Sequence, residues 1–588
     1  MRLDAPFVLL DDARPGGASA RLYRSPVGVV SGSDAAQLRP ALDGLRRARQ
    51  DGLQVAGFLS YEAGTAFEPA AAMEPDRTTP LFWFGLFDRW EEVSDVPALL
   101  PDPAGAWIGQ VRPTISRDKY GSRFDAVQEL IRAGDVYQAN LTFRATATLI
   151  GDPFAAYAQL RARSCAGWGA LIDTGTHRIL SCSPELLFRL DGDRLLCRPM
   201  KGTARRGDDA EQDRRLANAL ASDDKQRAEN LMIVDLMRND LARVATPGSV
   251  AVPDLFRVEN YPTVHQLVSD VTARLAPDNN ALDVVAALFP CGSITGAPKV
   301  RAMQAIAGLE GAPRGIYTGA IGRLDANGDA QFNVAIRTLS VPYGDTEAIL
   351  GLGGGIVADS EAEAEWDEAA AKGAFIATPR APDLIETMAF DPDQGLLLLD
   401  RHVSRIDQSA RAFDIPFNRH NARNELQAAT FRLRNPARVR LLLAGSGSIA
   451  VEVGPMPPVT EMLTLAVVPL PVAPADWRLR HKSANRAFYD GARRAAGTDE
   501  VVFEGPDGFL TEGSFTSLFV ERDGVLLTPP LHHGLLPGVL RADLLATGAA
   551  REASLTRADL SAGVYMGNAL RGLMPATVAV AKGSAAPL

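Results

Sequence analysis

One stretch without helical or strand periodicity, residues 376–383, divides this chain into two parts. It contains Pro379 and Pro382, and proline supplies no backbone N–H to a helix or a sheet. A chain of 588 residues is also too long for a single hydrophobic core. The sequence therefore predicts one domain over residues 1–375, a linker over 376–383 and a second domain over 384–588.

Patterns within the first part predict a mixture of strands and helices. Short apolar runs over residues 7–88 alternate with turn residues and indicate strands with few helices. Helical spacing over residues 117–133 is followed by a strand-like pattern over 136–147, and the alternation continues to the linker. We expect an α/β (α+β) fold in both parts.

Composition restricts the partners of this chain. A net charge of −10 argues against nucleic acid, because phosphate binding requires clustered lysine and arginine. No apolar run reaches the roughly 18 residues of a membrane span, and no signal core follows the N-terminus. The cysteines lie far apart without C-x-x-C spacing, which indicates neither disulfides nor zinc. We expect a cytoplasmic protein that binds neither nucleic acid nor membranes.

Several clusters in the first part place polar or charged groups within glycine-rich backbone. Hydrophobic cores rarely use this mixture. In chain order the clusters are Ser183-Pro184-Glu185 at the end of a predicted strand, an isolated basic turn at Arg198–Thr203, Glu229 at the start of a helix predicted over Asn230–Leu241, Phe289–Lys299, Tyr317-Thr318-Gly319 with Arg337, and Gly353-Gly354-Gly355 before Glu365 and Glu368.

Each cluster permits a functional and a structural interpretation. Glu365 and Glu368 share one face of a predicted helix. Together with Glu229 they could bind Mg²⁺, and the alternative is that they form a solvated acidic surface. Arg337 and Tyr317 can clamp a carboxylate or serve the fold alone. The glycine run at 353–355 can present N–H groups to an anion or form a tight turn.

Taken together, these clusters resemble the chorismate-utilising enzymes over residues 7–375. That family includes anthranilate, aminodeoxychorismate, isochorismate and salicylate synthases, and its fold consists of sheets flanked by helices. Lys201 stands where members that aminate chorismate at C4 carry lysine, and it would attack C2 as a nucleophile. Gln138 stands where the water-using members carry a lysine base, and a neutral amide cannot deprotonate water. The resemblance thus implies formation of 4-amino-4-deoxychorismate from chorismate.

The resemblance implies roles for further residues. Glu185 would be the general acid at the departing hydroxyl, and His265 would lie near the reacting ring. Glu229, Glu365 and Glu368 would bind Mg²⁺. Substrate would be held by Gln138, Thr295, Tyr317, Arg337 and the backbone of Gly353, Gly354 and Gly355. One departure is Cys291, where the family commonly has glycine, and we expect little effect from it.

The nitrogen source is expected to lie in another chain. None of the cysteines occupies a Gly-x-Cys-x-Gly nucleophile turn with a matching His-x-Glu. The resemblance therefore implies a separate glutamine amidotransferase subunit that delivers ammonia.

The second part contains the residue types that a pyridoxal phosphate site requires. A lysine forms the Schiff base, a carboxylate keeps the pyridine nitrogen protonated, and a helix N-terminus holds the phosphate. The spacing of Leu399–Ala410 predicts a helix with a basic face. The other clusters are His481–Arg486, Leu510–Ser514, Gly534–Arg541 and Met566–Leu570.

Their order resembles the class IV aminotransferases, also called fold-type IV, over residues 384–588. By motif position, Lys482 is the Schiff-base lysine and general base, and Glu512 is the partner of the pyridine nitrogen. Arg405 and the backbone of Gly538, Val539 and Leu540 would bind the phosphate, with Asn568 nearby. The family's frequent Ser-x-Ser-Asn is Ser514–Ser517 here, and Leu540 replaces a common threonine. The resemblance implies a two-lobed domain that commonly forms a homodimer.

The fusion itself favours one reaction for the second part. A domain that removes a ring proton from 4-amino-4-deoxychorismate and eliminates pyruvate would yield 4-aminobenzoate, a folate precursor. An amino-acid transaminase remains an alternative, as does a catalytically silent module for docking or dimerisation.

Overall fold

The computed structural model describes residues 3–71, 73–76, 78–261, 264–376, 379–561 and 563–579. Residues 377 and 378 of the predicted linker lie outside the described residues, as do 1, 2, 72, 77, 262, 263, 562 and 580–588 of the predicted domains. The described residues fall into two compact units. The first lies within Met1–Leu100, Gln110–Thr148 and Tyr157–Ala377, and the second within Pro101–Gly109, Leu149–Ala156 and Thr378–Leu588.

The chain up to Ala371 forms antiparallel strands and short to medium helices. The strands are β1 (Phe7–Asp11), β2 (Ala20–Arg24), β3 (Gly28–Gly32), β4 (Gln54–Leu59), β5 (Phe82–Phe87), β6 (Glu91–Val93), β7 (Ala106–Ile108), β8 (Arg112–Pro113), β9 (Gln138–Gly151), β10 (Trp168–Asp173), β11 (His177–Ser183), β12 (Leu186–Asp191), β13 (Arg194–Arg198), β14 (Met200–Arg205), β15 (Ala251–Asn260), β16 (Val264–Arg274), β17 (Gly296–Ala297), β18 (Ala320–Leu324), β19 (Ala330–Val334), β20 (Thr338–Pro342) and β21 (Glu347–Ile356). The helices are α1 (Leu38–Gln50), α2 (Val96–Leu99), α3 (Arg117–Arg132), α4 (Pro153–Ser164), α5 (Ala210–Ser222), α6 (Asp224–Ala242), α7 (Ala281–Leu288), α8 (Lys299–Glu310) and α9 (Ala362–Ala371).

Two sheets organise the first unit. One has the strand order β17-β9-β21-β20-β11-β10-β1-β2-β6, and the other has the order β14-β16-β13-β12-β19-β18-β4-β5-β3. The core includes Phe82, Phe84, Phe188 and Phe332, all nearly inaccessible to solvent. In the first sheet β9 pairs with β21, so that Gly355 lies opposite Asn140. This pairing brings the glycine run beside the start of β9.

The predicted helix over residues 117–133 is confirmed by α3, which begins where the Ser116 side chain accepts a hydrogen bond from Lys119 N–H. The predicted start at Asn230 is wrong: α6 begins at Asp224, because Asp223 caps it through Gln226 N–H. Glu229 therefore lies inside this helix.

One predicted turn, and one segment for which a tight turn was an alternative, are strands in the structure. The segment Arg198–Thr203 passes from β13 into β14, and both strands pair with β16. Residues 353–355 belong to β21, which excludes a tight turn there. In both cases the pairing partner lies far away along the sequence, so local composition did not indicate it.

The second unit begins with the antiparallel pair formed by β7 and the end of β9, where Trp107 lies opposite Ile150. Its later strands are β22 (Leu384–Asp391), β23 (Gly395–Leu396), β24 (Ala437–Leu443), β25 (Ile449–Pro455), β26 (Leu463–Pro469), β27 (Glu500–Glu504), β28 (Ser517–Arg522), β29 (Val525–Thr528), β30 (Ala550–Glu552), β31 (Val564–Asn568) and β32 (Gly572–Val578). Its later helices are α10 (Leu399–Ala412), α11 (Arg419–Thr430), α12 (Ala487–Ala496) and α13 (Val539–Ala546).

These strands form two sheets, β23-β22-β24-β25 and β27-β26-β32-β31-β28-β29-β30. The predicted helix over Leu399–Ala410 is confirmed by α10, whose buried face includes His402 and Arg405. Among the described residues, none of the helices is both long and apolar enough to span a membrane.

Candidate active sites

Lys201, Gln138 and Gly355 converge at one point of the first unit. Lys201 lies on β14, Gln138 begins β9, and Gly355 lies near the end of β21. A β-carbon built on Gly355 would come within 2.4 Å of Gln138 Nε2 and 3.1 Å of Lys201 Nζ. Glycine is required here because any side chain would displace the amide and the amine.

The Gln138 amide is buried without a partner. Its side chain is 1% exposed, and neither Nε2 nor Oε1 has a hydrogen-bond partner among the described residues. Buried amides are almost always hydrogen-bonded, and an unmade bond costs about 1–3 kcal/mol. The arrangement fits a polar ligand that bonds to Gln138 beside the Lys201 amine.

The electrostatic surroundings of Lys201 favour its neutral form. Burial lowers the pKa of the Lys201 ammonium, and Lys372 adds to this effect, whereas Glu229, Glu185 and Glu368 oppose it. A lysine with a lowered pKa is more often deprotonated at neutral pH, and the free amine is a nucleophile.

Glu185 follows β11 and is 4% exposed. Ser293 Oγ donates a hydrogen bond of 2.6 Å to Glu185 Oε1. Burial raises the pKa of Glu185 to about 7, although Ser293 and Lys201 both oppose the rise. A carboxyl group with this pKa retains a proton near neutral pH and can donate it. Ser293 lies within the predicted motif, but the sequence indicated no role for it.

The acidic face of α9 lies beside Gly354. A β-carbon on Gly354 would be 3.1 Å from Glu365 Oε2 and 4.0 Å from Glu368 Oε1. Burial raises the pKa of Glu229, and Glu365 and Glu368 add to the rise, whereas Lys201 and Lys225 oppose it. Burial and Glu368 also raise the pKa of Glu365, against the Ser360 hydrogen bond and two lysines. The structure therefore places the three carboxylates in one electrostatic environment.

Lys372 provides a positive charge among these carboxylates, and no sequence motif indicated it. Its Nζ lies 2.9 Å from Glu368 Oε1 and donates a hydrogen bond of 2.9 Å to the Gly353 carbonyl. Burial alone would raise the pKa of Glu368, but the neighbouring Lys372 and other lysines together outweigh burial, and the pKa is lowered. In the part of the chain that is described, no three His, Cys, Asp or Glu side chains are arranged to hold a metal ion. The Mg²⁺ assignment stays a prediction.

Three predicted substrate residues lie in separate surroundings. Thr295 Oγ1 donates a hydrogen bond of 2.6 Å to the Cys291 carbonyl, and the Thr295 carbonyl accepts from Asn140 N–H at 2.8 Å. Tyr317 packs against Gly351 of β21. Arg337 has a φ of 50° and follows β19. Their roles in binding substrate stay predictions.

His265 lies on β16 and is 1% exposed. Its Nδ1 lies 2.6 Å from Asn260 Oδ1, and its Nε2 lies 2.9 Å from Asp213 Oδ1. Asp213 also pairs with Arg206 at 2.7 Å. Because both ring nitrogens are occupied, these contacts favour a structural role for His265 in the folded chain.

A cavity of about 180 Å³ in the second unit brings the predicted cofactor residues together. Its walls include Lys482, Glu512, Arg405, Gly538, Val539, Leu540 and Asn568. Burial lowers the pKa of Lys482 to about 7, and Arg486 and Arg405 add to this effect. The amine is therefore substantially neutral near physiological pH, as a general base requires.

Glu512 lies deep in the same cavity at 5% exposure. Tyr489 donates a hydrogen bond of 2.5 Å to Glu512 Oε1. Burial raises the pKa of Glu512 to about 7, although Tyr489 opposes the rise. A protonated ring nitrogen beside Glu512 would stabilise its ionised form.

Arg405 is held in place by Glu386 of β22, which no sequence motif indicated. Arg405 Nε and Nη2 donate to the two Glu386 carboxylate oxygens at 2.8 and 2.6 Å. Arg405 Nη1 also donates to the Pro537 carbonyl at 3.0 Å. His402 Nδ1 lies 2.6 Å from Glu386 Oε2, whereas His402 Nε2 is buried without a partner among the described residues.

The N-terminus of α13 faces the cavity at Gly538, and no side chain caps it. Uncapped N–H groups and the helix dipole favour an anion at this position. A β-carbon on Gly538 would lie 2.5 Å from Ser517 Oγ, so a larger residue would close the turn. Together with the free His402 nitrogen, these features fit the phosphate of pyridoxal phosphate.

Asn568 shapes the cavity wall through its own hydrogen bonds. Its Oδ1 accepts from the N–H groups of Leu570 and Arg571 at 3.0 and 2.9 Å. Its Nδ2 donates to the Phe515 carbonyl at 3.1 Å. This amide is therefore used within the protein, and its contact with a phosphate stays a prediction.

Glu500 organises the loop after Glu512 and was not indicated by the sequence. Its carboxylate is fully buried and accepts hydrogen bonds from Ser514 N–H at 2.9 Å, Phe515 N–H at 3.1 Å and Thr516 Oγ1 at 2.8 Å. A carboxylate with this many donors fixes the loop that lines the cavity.

We expect Glu386→Gln to destabilise the second unit by about 3–5 kcal/mol near neutral pH, because it leaves Arg405 buried without its counter-charge. Burial opposes ionisation, but Arg405 and His402 lower the pKa of Glu386 to about 2. A lowered pKa contributes stability above the ordinary value of 4.5 that is lost as the pH falls towards 2. Thermal unfolding should therefore show a wild-type advantage at neutral pH that shrinks with acidification.

The matched control is Glu452→Gln, which removes an exposed pair with Arg438 of 2.8 Å. An exposed pair contributes at most about 1 kcal/mol. Equal unfolding temperatures for the two variants would contradict the role assigned to Glu386.

Each of the two parts of this chain is similar to known proteins. The family model described as chorismate binding enzyme matches residues 15–378, and the model described as amino-transferase class IV matches residues 383–579. Aminodeoxychorismate synthase component 1 of Escherichia coli (strain K12) is 47% identical over 335 residues, which cover 53% of this chain and 73% of that protein. The Klebsiella aerogenes protein of the same name is 43% identical, covering 53% of this chain and 74% of its own length.

Solved structures support the fold. Anthranilate synthase component I from Streptococcus pneumoniae TIGR4 matches with a TM-score of 0.52 and 27% identity, covering 63% of this chain and 93% of that one. The menaquinone-specific isochorismate synthase from Escherichia coli matches with a TM-score of 0.50 and 18% identity, covering 63% and 88% respectively. The chain therefore belongs to the chorismate-binding enzymes, and it carries a fold-type IV domain of the class IV amino-transferases in its C-terminal part.

Proposed function

We propose that the first unit forms 4-amino-4-deoxychorismate from chorismate and ammonia. The observation that carries this proposal is the Lys201 amine, held beside the unpartnered Gln138 amide and the bare backbone of Gly355. Relatives at 43% and 47% identity are named aminodeoxychorismate synthase component 1, which supports the same reaction.

The reaction proceeds in two displacements. Lys201 Nζ forms a bond to C2 of chorismate, both ring double bonds shift by one position (C1=C2 to C1=C6 and C5=C6 to C4=C5), and the C4 hydroxyl leaves as water with a proton from Glu185. Ammonia then forms a bond to C4, both double bonds shift back, and the Lys201 amine is released. The pKa of about 7 for Glu185 suits proton donation, and the lowered pKa of Lys201 suits attack.

Gln138 excludes water as the nucleophile. Its neutral amide hydrogen-bonds to the substrate but takes no proton from water, so ammonia, which needs no such base, reacts instead. Buried donors and acceptors at this position also orient the ring relative to Lys201.

Glu229, Glu365 and Glu368 would hold Mg²⁺. Their carboxylates are the ligand type that Mg²⁺ prefers. Burial is the main cause of the raised pKa values of Glu229 and Glu365, and Glu368 adds to both rises. A divalent cation there would neutralise the charge of these carboxylates and of a carboxylate of chorismate. Ammonia would come from a separate glutamine amidotransferase subunit, as component 1 in the relatives' name suggests.

The fold-type IV domain would release pyruvate from 4-amino-4-deoxychorismate and leave 4-aminobenzoate. Pyridoxal phosphate, held by Lys482, Glu512, Arg405 and the Gly538–Leu540 backbone, supplies an electron sink for the substrate amine when it is bound. Lys482 accepts the proton from C4 of the ring. The C3–O bond then breaks, the ring becomes aromatic, and the enolpyruvyl group leaves and gains a proton as pyruvate.

A direct test of this second reaction supplies 4-amino-4-deoxychorismate to the wild-type chain loaded with pyridoxal phosphate. We expect pyruvate and 4-aminobenzoate in equal amounts. Amino-group transfer to an added 2-oxo acid without pyruvate release would identify a transaminase instead, and the absence of both reactions would leave a docking or dimerisation module.

We expect amination of chorismate to fall as the pH rises through about 7, because Glu185 donates a proton only below its pKa. The measurement is the rate of amination with saturating ammonia across this range. Glu185→Gln should lower the rate by about 100-fold or more and remove the alkaline decline from the residual activity. A decline that persists unchanged in Glu185→Gln would assign it to another group.

A further inference from the structure

We propose that Arg486 and Arg571 bind the carboxylates of the amine substrate in the cavity of the fold-type IV domain. This inference rests on the proposed function and specifies its substrate class: a cyclic amine with two carboxylates, one on the ring and one on a ring substituent. The supporting observations are the pairing of charges around the cavity and the positions of these two guanidinium groups.

Arg405, Arg478, Arg486 and Arg571 line the described part of the cavity wall. Two of these are neutralised within the protein. Arg405 forms a forked pair with Glu386, and Arg478 Nη2 lies 2.6 Å from Asp476 Oδ2, a carboxylate that is 1% exposed. These two arginines therefore carry little uncompensated charge into the cavity.

Arg486 and Arg571 form no ion pair among the described residues. The Arg486 guanidinium lies 5.0 Å from the centre of the Tyr489 ring and donates a hydrogen bond to the Ser514 carbonyl. The Arg571 guanidinium lies 5.4 Å from the centre of the Phe515 ring. Both side chains are half-buried, where a charge without a counter-ion costs free energy. An anion in the cavity would offset this cost for both.

The two arginines approach the same loop, residues 514–515, from different elements. Arg486 immediately precedes α12, whereas Arg571 follows β31. Burial has the larger effect on the pKa values of Lys482 and Glu512, but the charge of Arg486 acts on both towards lower values, so Arg486 lies near the groups that would perform the reaction. The phosphate has its own donors at the Gly538 turn, which leaves these two guanidiniums for the substrate.

The substrate chemistry matches this arrangement. 4-Amino-4-deoxychorismate carries one carboxylate on the ring and one on the enolpyruvyl group, and guanidinium binds carboxylate through two parallel hydrogen bonds. A monocarboxylic amino acid has an anion for one of these arginines and none for the other. Two unpaired arginines therefore favour the dicarboxylate amine.

The test compares Arg486→Gln and Arg571→Gln with Arg493→Gln as the matched control. Arg493 lies 5.3 Å from the centre of the same Phe515 ring but does not line this cavity. With supplied 4-amino-4-deoxychorismate, we expect KM for pyruvate release to rise at least about tenfold in each of the two variants, from the loss of a charged hydrogen bond. Arg493→Gln should keep the wild-type KM, and Arg486→Lys and Arg571→Lys should each retain part of the binding that the glutamine variant loses.

A second measurement separates this inference from the proposed function. Titration with isophthalate, an unreactive aromatic dicarboxylate, is followed through the absorbance of the bound cofactor, which reports on this cavity alone. Weaker isophthalate binding in both variants supports the carboxylate site, whether or not the wild-type chain releases pyruvate. The absence of pyruvate release from the wild-type chain would overturn only the lyase proposal. Wild-type affinity for isophthalate or wild-type KM in both variants would overturn the inference.

Discussion

Lys201→Ala is expected to lower the formation of 4-amino-4-deoxychorismate by about 10⁴-fold or more, as loss of a covalent nucleophile typically does. The Lys201 amine lies beside Gln138 and Gly355, and an alanine at this position has no nucleophile that could attack C2 of chorismate. The measurement is the rate of chorismate amination with an ammonium salt and Mg²⁺. Pyruvate release from supplied 4-amino-4-deoxychorismate should be unaffected, because it takes place in the other unit.

Lys201→Arg is the informative control, since it retains the positive charge but provides no nucleophile at neutral pH. It should be as inactive as Lys201→Ala if the lysine acts covalently. Wild-type amination by either variant would rule out the covalent role. Formation of anthranilate by Lys201→Ala would instead indicate that ammonia now attacks C2 directly.

Lys482→Ala is the second variant with a large expected effect. It should abolish pyruvate release, by about 10⁴-fold or more, and remove the absorbance band of cofactor attached to lysine. The lowered pKa of about 7 for Lys482 provides a neutral amine in the wild-type cavity, and no other lysine lines that cavity among the described residues. The same variant, given chorismate and ammonia, should accumulate 4-amino-4-deoxychorismate.

Glu512→Gln provides a comparison within the same cavity. It keeps the shape and the contact with Tyr489 but cannot stabilise a cationic ring nitrogen, so pyruvate release should fall while cofactor still attaches to Lys482. Full pyruvate release by Lys482→Ala would exclude the assigned base. Loss of chorismate amination in that variant would contradict the independence of the two sites.

Local sequence patterns predicted elements whose signals are local. The helices α3 and α10 follow from apolar spacing, and in α3 a serine N-cap marks the start. The pairing of β14 with β16 and of β21 with β9 depends on partners distant in sequence. For this reason local composition indicated a turn at Arg198–Thr203 and left a tight turn open at residues 353–355.

The same distinction applies to the sites. Lys201, Lys482 and Glu512 belong to motifs with a recognisable order, so the sequence indicated them. Lys372, Glu386, Glu500 and Arg486 have roles that depend on which buried groups the fold places beside them. Their residue types are those of an ordinary solvated surface, and only the tertiary contacts distinguish them.

The most direct test of the central claim gives the wild-type chain chorismate, an ammonium salt, Mg²⁺ and pyridoxal phosphate, and follows 4-aminobenzoate and pyruvate together. We predict release of both products in equal amounts from a single chain that carries the Lys201 and Lys482 sites. Consumption of chorismate with accumulation of 4-amino-4-deoxychorismate and no pyruvate would contradict the claim that the two units catalyse consecutive reactions.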